Sequence, residues 1–215
     1  MIKNKKILFV SAHFDDLELG CGGTLAKLNK KNKVYIVNIC NSEFHDNNKK
    51  IIRDKKTAYL EGLKALKILG IKKNNIHNLD INTFEILKNE KKISKKLIEY
   101  NLKYNFDIVF THWEKDVHPD HFNTYRICKS VFKRTKSIIQ FTSNYYTEEF
   151  KPNIFINISK EYKFKKKAIE AHKSEMIRTK NKWKKYFLNK NSLDAIRYNI
   201  KFVETFYSNR IFLDE

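Results

Sequence analysis

Three unbroken apolar runs constrain this chain more than any other feature. "KILFVSA" (6–12), "KVYIVNIC" (33–40) and "FDIVFTHW" (106–113) lack the in-out alternation of a half-exposed strand, so each reads as a strand covered on both faces. Long amphipathic stretches separate them. Thr24 to Lys31 predicts a short helix. Residues 49–69 place Ile52, Ala58, Leu60, Leu63, Leu66 and Leu69 at helical spacing before Gly70, and residues 84–104 turn Phe84, Leu87, Ile93, Leu97 and Leu102 inward. A further helix is expected from about Asp120 to Phe132. Short strands are expected at "NIHNLD" (75–80), "SIIQFTS" (137–143) and "NIFINIS" (153–159), and Ser159 is a candidate cap for a helix with Glu161 in its first turn. The tail reads as partly helical before a last short strand. Strand and helix in alternation predict an α/β fold with a mostly parallel sheet. At 215 residues one domain, 1–215, is expected.

In such a sheet ligands sit beyond the carboxyl ends of the strands, and two of those ends are rich in chemistry. The first apolar run stops at "AHFDDLELGCGGT", which brings His13, Asp15, Asp16 and Glu18 together ahead of three glycines. The 106–113 run stops at "THWEKDVHPDH", which supplies His112, Asp116, His118, Asp120 and His121. On parallel strands both clusters emerge at the same edge. Two imidazoles and a carboxylate are a common catalytic zinc set with a fourth position left for water. Each half alone also reads as a satisfied turn or a capped helix start, and acidic pairs at strand ends bind magnesium in phosphoryl-transfer enzymes. "GCGGT" is not a dinucleotide loop, because the preceding acids would face a pyrophosphate; Gly20, Gly22 and Gly23 read as backbone freedom near the site.

"SAHFDDLELGCGGTLAKL" followed a hundred residues later by "HPDHFNTYR" resembles the PIG-L/LmbE-like N-deacetylases, and "KKKAIEAHKSEM" and "FVETF" resemble their C-terminal segments more weakly. The resemblance implies a Rossmann-like, doubly wound fold with a mostly parallel sheet and helices on both faces, zinc held by His13, Asp16 and His121, Asp15 as general base and His118 polarising the carbonyl. Asp120, between the downstream histidines, is a candidate to orient one of them. Three positions depart from the family pattern: Phe14 stands where proline is common, the acidic companion expected beside Arg53 is displaced, and Glu175 stands where glutamine is common. Arg53 is the candidate substrate contact from that segment and His172 one from "AHKSE". Glu43 and His45 follow the second strand, His112 ends the fourth, and Asn144 and Tyr145 follow the fifth; Glu43, His112 and Asn144 join the candidate substrate contacts, and His77 reads as structural.

The expected reaction is removal of acetate from an N-acetylated amino sugar or sugar conjugate, with zinc or an exchangeable divalent metal. Asp15 takes the proton of the attacking water, and His118, protonated or as a neutral hydrogen-bond donor, steadies the oxyanion. The alternatives are a magnesium- or manganese-dependent phosphoesterase and a non-enzymatic basic nucleic-acid-binding protein. The formal charge of +20 raises the latter, but only six of the 44 basic residues are arginine and the lysines are spread along the chain. Phosphate reading favours clustered arginine, so no nucleic-acid partner is expected. Cys21, Cys40 and Cys128 form no CxxC pair, no run reaches the length of a membrane span, and the N-terminal apolar run is short for a signal peptide. A reduced, cytoplasmic protein is expected, with a homo-oligomer left open.

Overall fold

The computed structural model describes residues 2–46, 48, 50–146 and 149–212. Its centre is a five-stranded, all-parallel sheet of β1 (Lys6–Ser11), β2 (Lys33–Cys40), β5 (Ile76–Ile81), β6 (Ile108–His112) and β7 (Ser137–Phe141), in the order β5-β2-β1-β6-β7. β1 lies in the middle, with Phe9 opposite Ile36 on one side and Phe110 on the other. Ile7, Leu8, Phe9 and Val10 have no accessible surface; burial of such side chains is worth about 1.5–3 kcal/mol each.

Successive β1 residues face opposite layers, which is why the run is apolar throughout. Ile7 and Phe9 pack with α1 (Asp16–Leu28), α2 (Lys55–Ile68) and α5 (Tyr162–Ala171). Leu8 and Val10 pack with α3 (Glu90–Tyr104) and α4 (Pro119–Val131). The chain winds outward from β1 through β2 to β5, then returns to the other side of β1 through β6 and β7. The crevice between the ends of β1 and β6 is therefore the switch point at which ligands bind in such sheets.

Several elements depart from the sequence reading. α1 starts at Asp16, eight residues before the expected Thr24, because its break is bridged from far away. Cys21 has non-helical angles (φ −144°, ψ 21°). The carboxylate of Glu204, on β9 (Val203–Phe206), accepts from the amides of Gly23 (2.9 Å) and Thr24 (2.6 Å), as an N-cap side chain would. Lys165 Nζ donates to the Leu19 carbonyl (2.8 Å) before the break and to Glu204 (2.6 Å). Gly20 lets the helix lie on the end of β7: a Cβ there would meet Thr142 O at 2.7 Å.

The expected helix over 49–69 is instead a small antiparallel pair, β3 (Phe44–His45) and β4 (Ile51–Arg53), followed by α2, whose N-cap Asp54 accepts from Thr57 N at 2.9 Å. Ile52 and Leu60 are exposed. So are Phe84, Leu87 and Leu102, because only 90–104 of the expected 84–104 helix is α-helical and Leu102 falls on its outer side. Ser159 caps nothing; its hydroxyl accepts from Phe202 N, and α5 starts after Glu161. The 153–159 strand is β8 (Ile154–Asn157), which pairs antiparallel with β9 rather than joining the central sheet. The expected helix through 162–176 breaks at His172 into α5 and α6 (Lys173–Arg178); α7 (Lys182–Leu193) follows, and the partly helical tail over 192–210 holds the end of α7, one short helical turn (Ile196–Tyr198) and β9.

Candidate active site

The two polar strand ends meet. His13 leaves β1 with its amide donating to Asp16 Oδ2 (2.6 Å), a tight turn that brings Asp16 back beside it at the start of α1. His121 sits in the first turn of α4, after Pro119 at a position where the missing N–H costs nothing. Ring nitrogens of His13 and His121 face each other at 3.3 Å, and His121 Nε2 lies 3.2 Å from Asp16 Oδ1. One donor atom from each of His13, Asp16 and His121 falls within 4.8 Å of the others.

Each donor is held from behind. Asp116 Oδ2 accepts from His121 Nδ1 (3.0 Å), which turns Nε2 into the cluster. Asp120 Oδ2 faces His13 Nε2 (3.1 Å), which turns Nδ1 the same way. Ser143 donates to Asp16 Oδ1 (2.8 Å). Burial alone would lower the His121 pKa, but Asp16 and Asp116 outweigh it and lift the ring to about 9. His13 is likewise lifted well above the usual range, its burial overcome by Asp120 and Asp16. Asp16 is held well below the carboxylate range despite burial, chiefly by His121 and His112. The pocket thus draws positive charge, with convergent lone pairs held as the ligands of a metal ion are. The donor set fits a divalent metal.

Asp15 is next to this set but not part of it. Its side chain caps no helix amide and lines the cavity, and burial, then Glu175, push it up to about 7 against the pull of Arg53. His118 caps α4: its Nδ1 accepts from Asp120 N (3.2 Å), which leaves its proton on Nε2. Burial, followed by His13 and His121, lowers it to about 4. Both effects favour the neutral ring, the hydrogen-bond donor of the two forms expected from the sequence. The cavity encloses about 210 Å³, enough for roughly one sugar ring, and is lined by His13, Asp15, Asp16, His118 and His121 together with residues of the β3–β4 and α6–α7 segments.

A family model described as PIG-L, GlcNAc-PI de-N-acetylase, matches residues 8–132, which carry both strand-end motifs. The chain belongs to the PIG-L family. It is 30% identical over 177 residues to the uncharacterized deacetylase YaiS of Escherichia coli K12, covering 80% of this chain and 92% of that protein. Among solved structures, N,N'-diacetylchitobiose deacetylase of Pyrococcus horikoshii superposes with a TM-score of 0.80 at 21% identity, over 96% of this chain and 84% of that one. GalB, a 4-carboxy-2-hydroxymuconate hydratase of Pseudomonas putida KT2440, superposes with 0.82 at 18% identity, over 98% of each. These likenesses show a fold that the PIG-L family shares with at least one enzyme of different chemistry.

Within this PIG-L site three sequence expectations need correction. His112 touches no substrate: it is fully buried, its Nε2 accepts from Ala12 N (3.0 Å), and its ring stacks on His121 at 4.0 Å. His172 is also buried, packed between Arg53 (3.3 Å) and Glu18 (3.6 Å). Asp120 orients His118 through its backbone amide only; its carboxylate goes to His13 and to the Phe84 amide (2.8 Å), and Asp116 takes the carboxylate role at His121. Neighbouring residues on a helix diverge by about 100°, so Asp120 cannot follow His121.

Arg53, Glu43 and Asn144 do line the cavity. The displaced companions of Arg53 are Glu175 (3.4 Å) and Glu61 (3.6 Å). His45 is exposed beside Glu43, Tyr145 packs on Tyr186, and the ring of His77 stacks on Tyr100. Sequence reasoning missed Ser143, Phe84, Arg178 and Trp183. Arg178 pairs with Glu175 and lies over the rings of Phe44 and Trp183 (4.7 and 5.3 Å). Phe84 stacks on His118. None has a sequence signature, since each is recruited by a contact across segments.

Proposed function

We propose that this protein is a zinc-dependent N-deacetylase that hydrolyses an N-acetylated amino sugar or sugar conjugate. One observation carries the reading: three converging metal donors and a second carboxylate, Asp15, outside the donor set, line the same cavity. His13, Asp16 and His121 would hold the ion, with Asp116, Asp120 and Ser143 as the groups that aim them. A zinc ion there supplies a Lewis acid for an acyl oxygen and lowers the pKa of a water to about 7.

The rest falls to the chain's own groups. Asp15 accepts a proton from the attacking water as its oxygen bonds to the acyl carbon, then delivers that proton to the leaving nitrogen as the C–N bond breaks, giving acetate and a free amine. A carboxyl poised near neutrality suits both transfers. Neutral His118 donates from Nε2 to the acyl oxygen as it gains charge. Glu43, Asn144 and Arg53 are the polar contacts for the sugar. The family membership and the deacetylases among its relatives support the acetyl group, and one of them is a deacetylase of N,N'-diacetylchitobiose.

Against a phosphoesterase, the cavity lining holds no lysine among the described residues, and its two arginines are already paired with Glu175 and Glu61. The test is acetate release from a panel of N-acetyl amino sugars with and without chelator, on wild type and Asp15→Asn. Chelator-sensitive release, lost in Asp15→Asn at full zinc content, supports the reading. Phosphate release from phosphate esters, or acetate release undiminished in the variant, would overturn it.

A further inference from the structure

His13 has two sides, and only one serves the cluster described above. Its Nε2 faces Asp120 Oδ2 at 3.1 Å, and Cys40 Sγ lies 3.9 Å from that same oxygen. Donor atoms of His13, Cys40 and Asp120 all fall within 4.8 Å of one another. Cys40 ends β2, and its amide donates to Ala12 O (2.8 Å), so the thiol arrives at the same sheet edge as the motif after β1. All three cysteines are free and buried in the apolar layers, Cys21 on one side of the sheet and Cys40 and Cys128 on the other, but of these Cys40 also has its Sγ beside the Asp120 carboxylate.

We infer that His13, Cys40 and Asp120 form a second divalent-metal site, which takes a thiophilic ion such as zinc once the His13–Asp16–His121 cluster is filled, and that its occupation stops turnover. The spacing supports this. Zinc bonds of about 2.0–2.3 Å in a tetrahedron put neighbouring donors roughly 3.3–3.7 Å apart. The observed 3.1 and 3.9 Å bracket that range, so small side-chain rotations are enough. The thiol also donates to the Asn82 carbonyl (3.9 Å). A thiolate is the soft donor that selects zinc over magnesium or calcium. Binding replaces two protons, one from the thiol and one from His13 Nε2, and both leave to solvent.

The same contacts explain why the second ion inhibits. Asp120 Oδ2 holds both the His13 ring and the Phe84 amide. Phe84 is a non-glycine residue at φ +65°, and its ring covers His118; a side chain of that size keeps such a backbone only when its surroundings insist. An ion that recruits Asp120 releases Phe84 and changes the charge on a ligand of the first site. Burial of the thiol in turn delays entry until metal is in excess, which separates the two sites in affinity.

The experiment titrates metal-free protein with Co2+, with no substrate present, so its outcome stands apart from the deacetylase assay. Wild type is expected to take two ions, the second bringing a thiolate-to-cobalt charge-transfer band in the near ultraviolet. Cys40→Ala is expected to take one ion with no band. Excess zinc should cut wild-type turnover by about ten-fold, the scale on which metal-site neighbours act, and leave Cys40→Ala nearly unaffected. A wild type that stops at one ion without a thiolate band, or a band that survives in Cys40→Ala, would overturn the inference.

Discussion

Replacing Lys165 with methionine tests the linkage between the far end of the chain and the metal motif. Lys165 and Glu204 are both fully buried, and the ammonium is the only cation within hydrogen-bonding distance of that carboxylate among the described residues. Methionine keeps the volume and removes the charge. Glu204 is then left ionised in the interior with only the amides of Gly23 and Thr24, and the Leu19 carbonyl loses its donor. Breaking one side of a buried pair costs about 3–5 kcal/mol. In a chain of this size roughly 2–4 °C of Tm accompanies each kcal/mol, so a fall of about 6–20 °C is expected by thermal denaturation. Adding Glu204→Gln removes the stranded charge while a side-chain oxygen still faces the helix amides. The double variant should recover most of the loss, and zinc affinity should track stability, because Asp16 stands at the start of the pinned helix. A single variant within about 1 kcal/mol of wild type, or a double variant as damaged as the sum of the singles, would refute the reasoning.

Other expectations follow from the site. Asp116→Ala frees the His121 ring and should weaken zinc binding by about 10–100-fold in a chelator competition; unchanged affinity would show that His121 needs no orienting partner. In the metal-free protein His121 is raised to about 9, against an ordinary value of 6.5. Its stabilising contribution is therefore full below 6.5 and fades as pH rises through 9, and at pH 7.5 it still carries a proton. Zinc must displace that proton, so calorimetry in buffers of different ionisation enthalpy should show at least one proton released, with affinity rising as pH rises toward 9; heats independent of buffer would contradict this. Gly20→Ala drives a Cβ to 2.7 Å from Thr142 O and should cost about 1–3 kcal/mol in urea unfolding, whereas a neutral result would mean that the helix can retreat from β7.

The central strands and the two motifs were legible because their signals are local. β1, β2 and β6 are predominantly apolar since both faces are covered, and the two clusters announce themselves by residue type and position at strand ends, while the choice of His13, Asp16 and His121 within them rests on the PIG-L resemblance. The start of α1 was hidden because its caps come from Glu204 and Lys165, whose identities say nothing at residue 23. The partners of the histidines were hidden for a different reason. Adjacency in sequence made Asp120 the natural companion of His118 or His121, but in the first turn of a helix its side chain points back across the sheet edge to His13. His112 and His172 looked like contacts because they flank the motifs; burial turned one into a stacking partner and the other into a brace for Arg53. Phe84 was assigned to a helix interior and proves to stand at the mouth of the cavity, 65% exposed.

The pin between α1 and β9 also sets an order of assembly. Residues 23 and 24 are reached by residue 204 across sequence separations of 181 and 180, among the longest a chain of this length allows. During synthesis the His13–Asp16 turn emerges well before Glu204, and the parallel sheet can begin to pair as β2 and β6 follow. The helix that carries Asp16 stays unbridged until β9 arrives, because contacts so distant in sequence close late. Metal capture by the nascent chain is therefore expected to wait for β9, although the His13–Asp16 turn is made long before it.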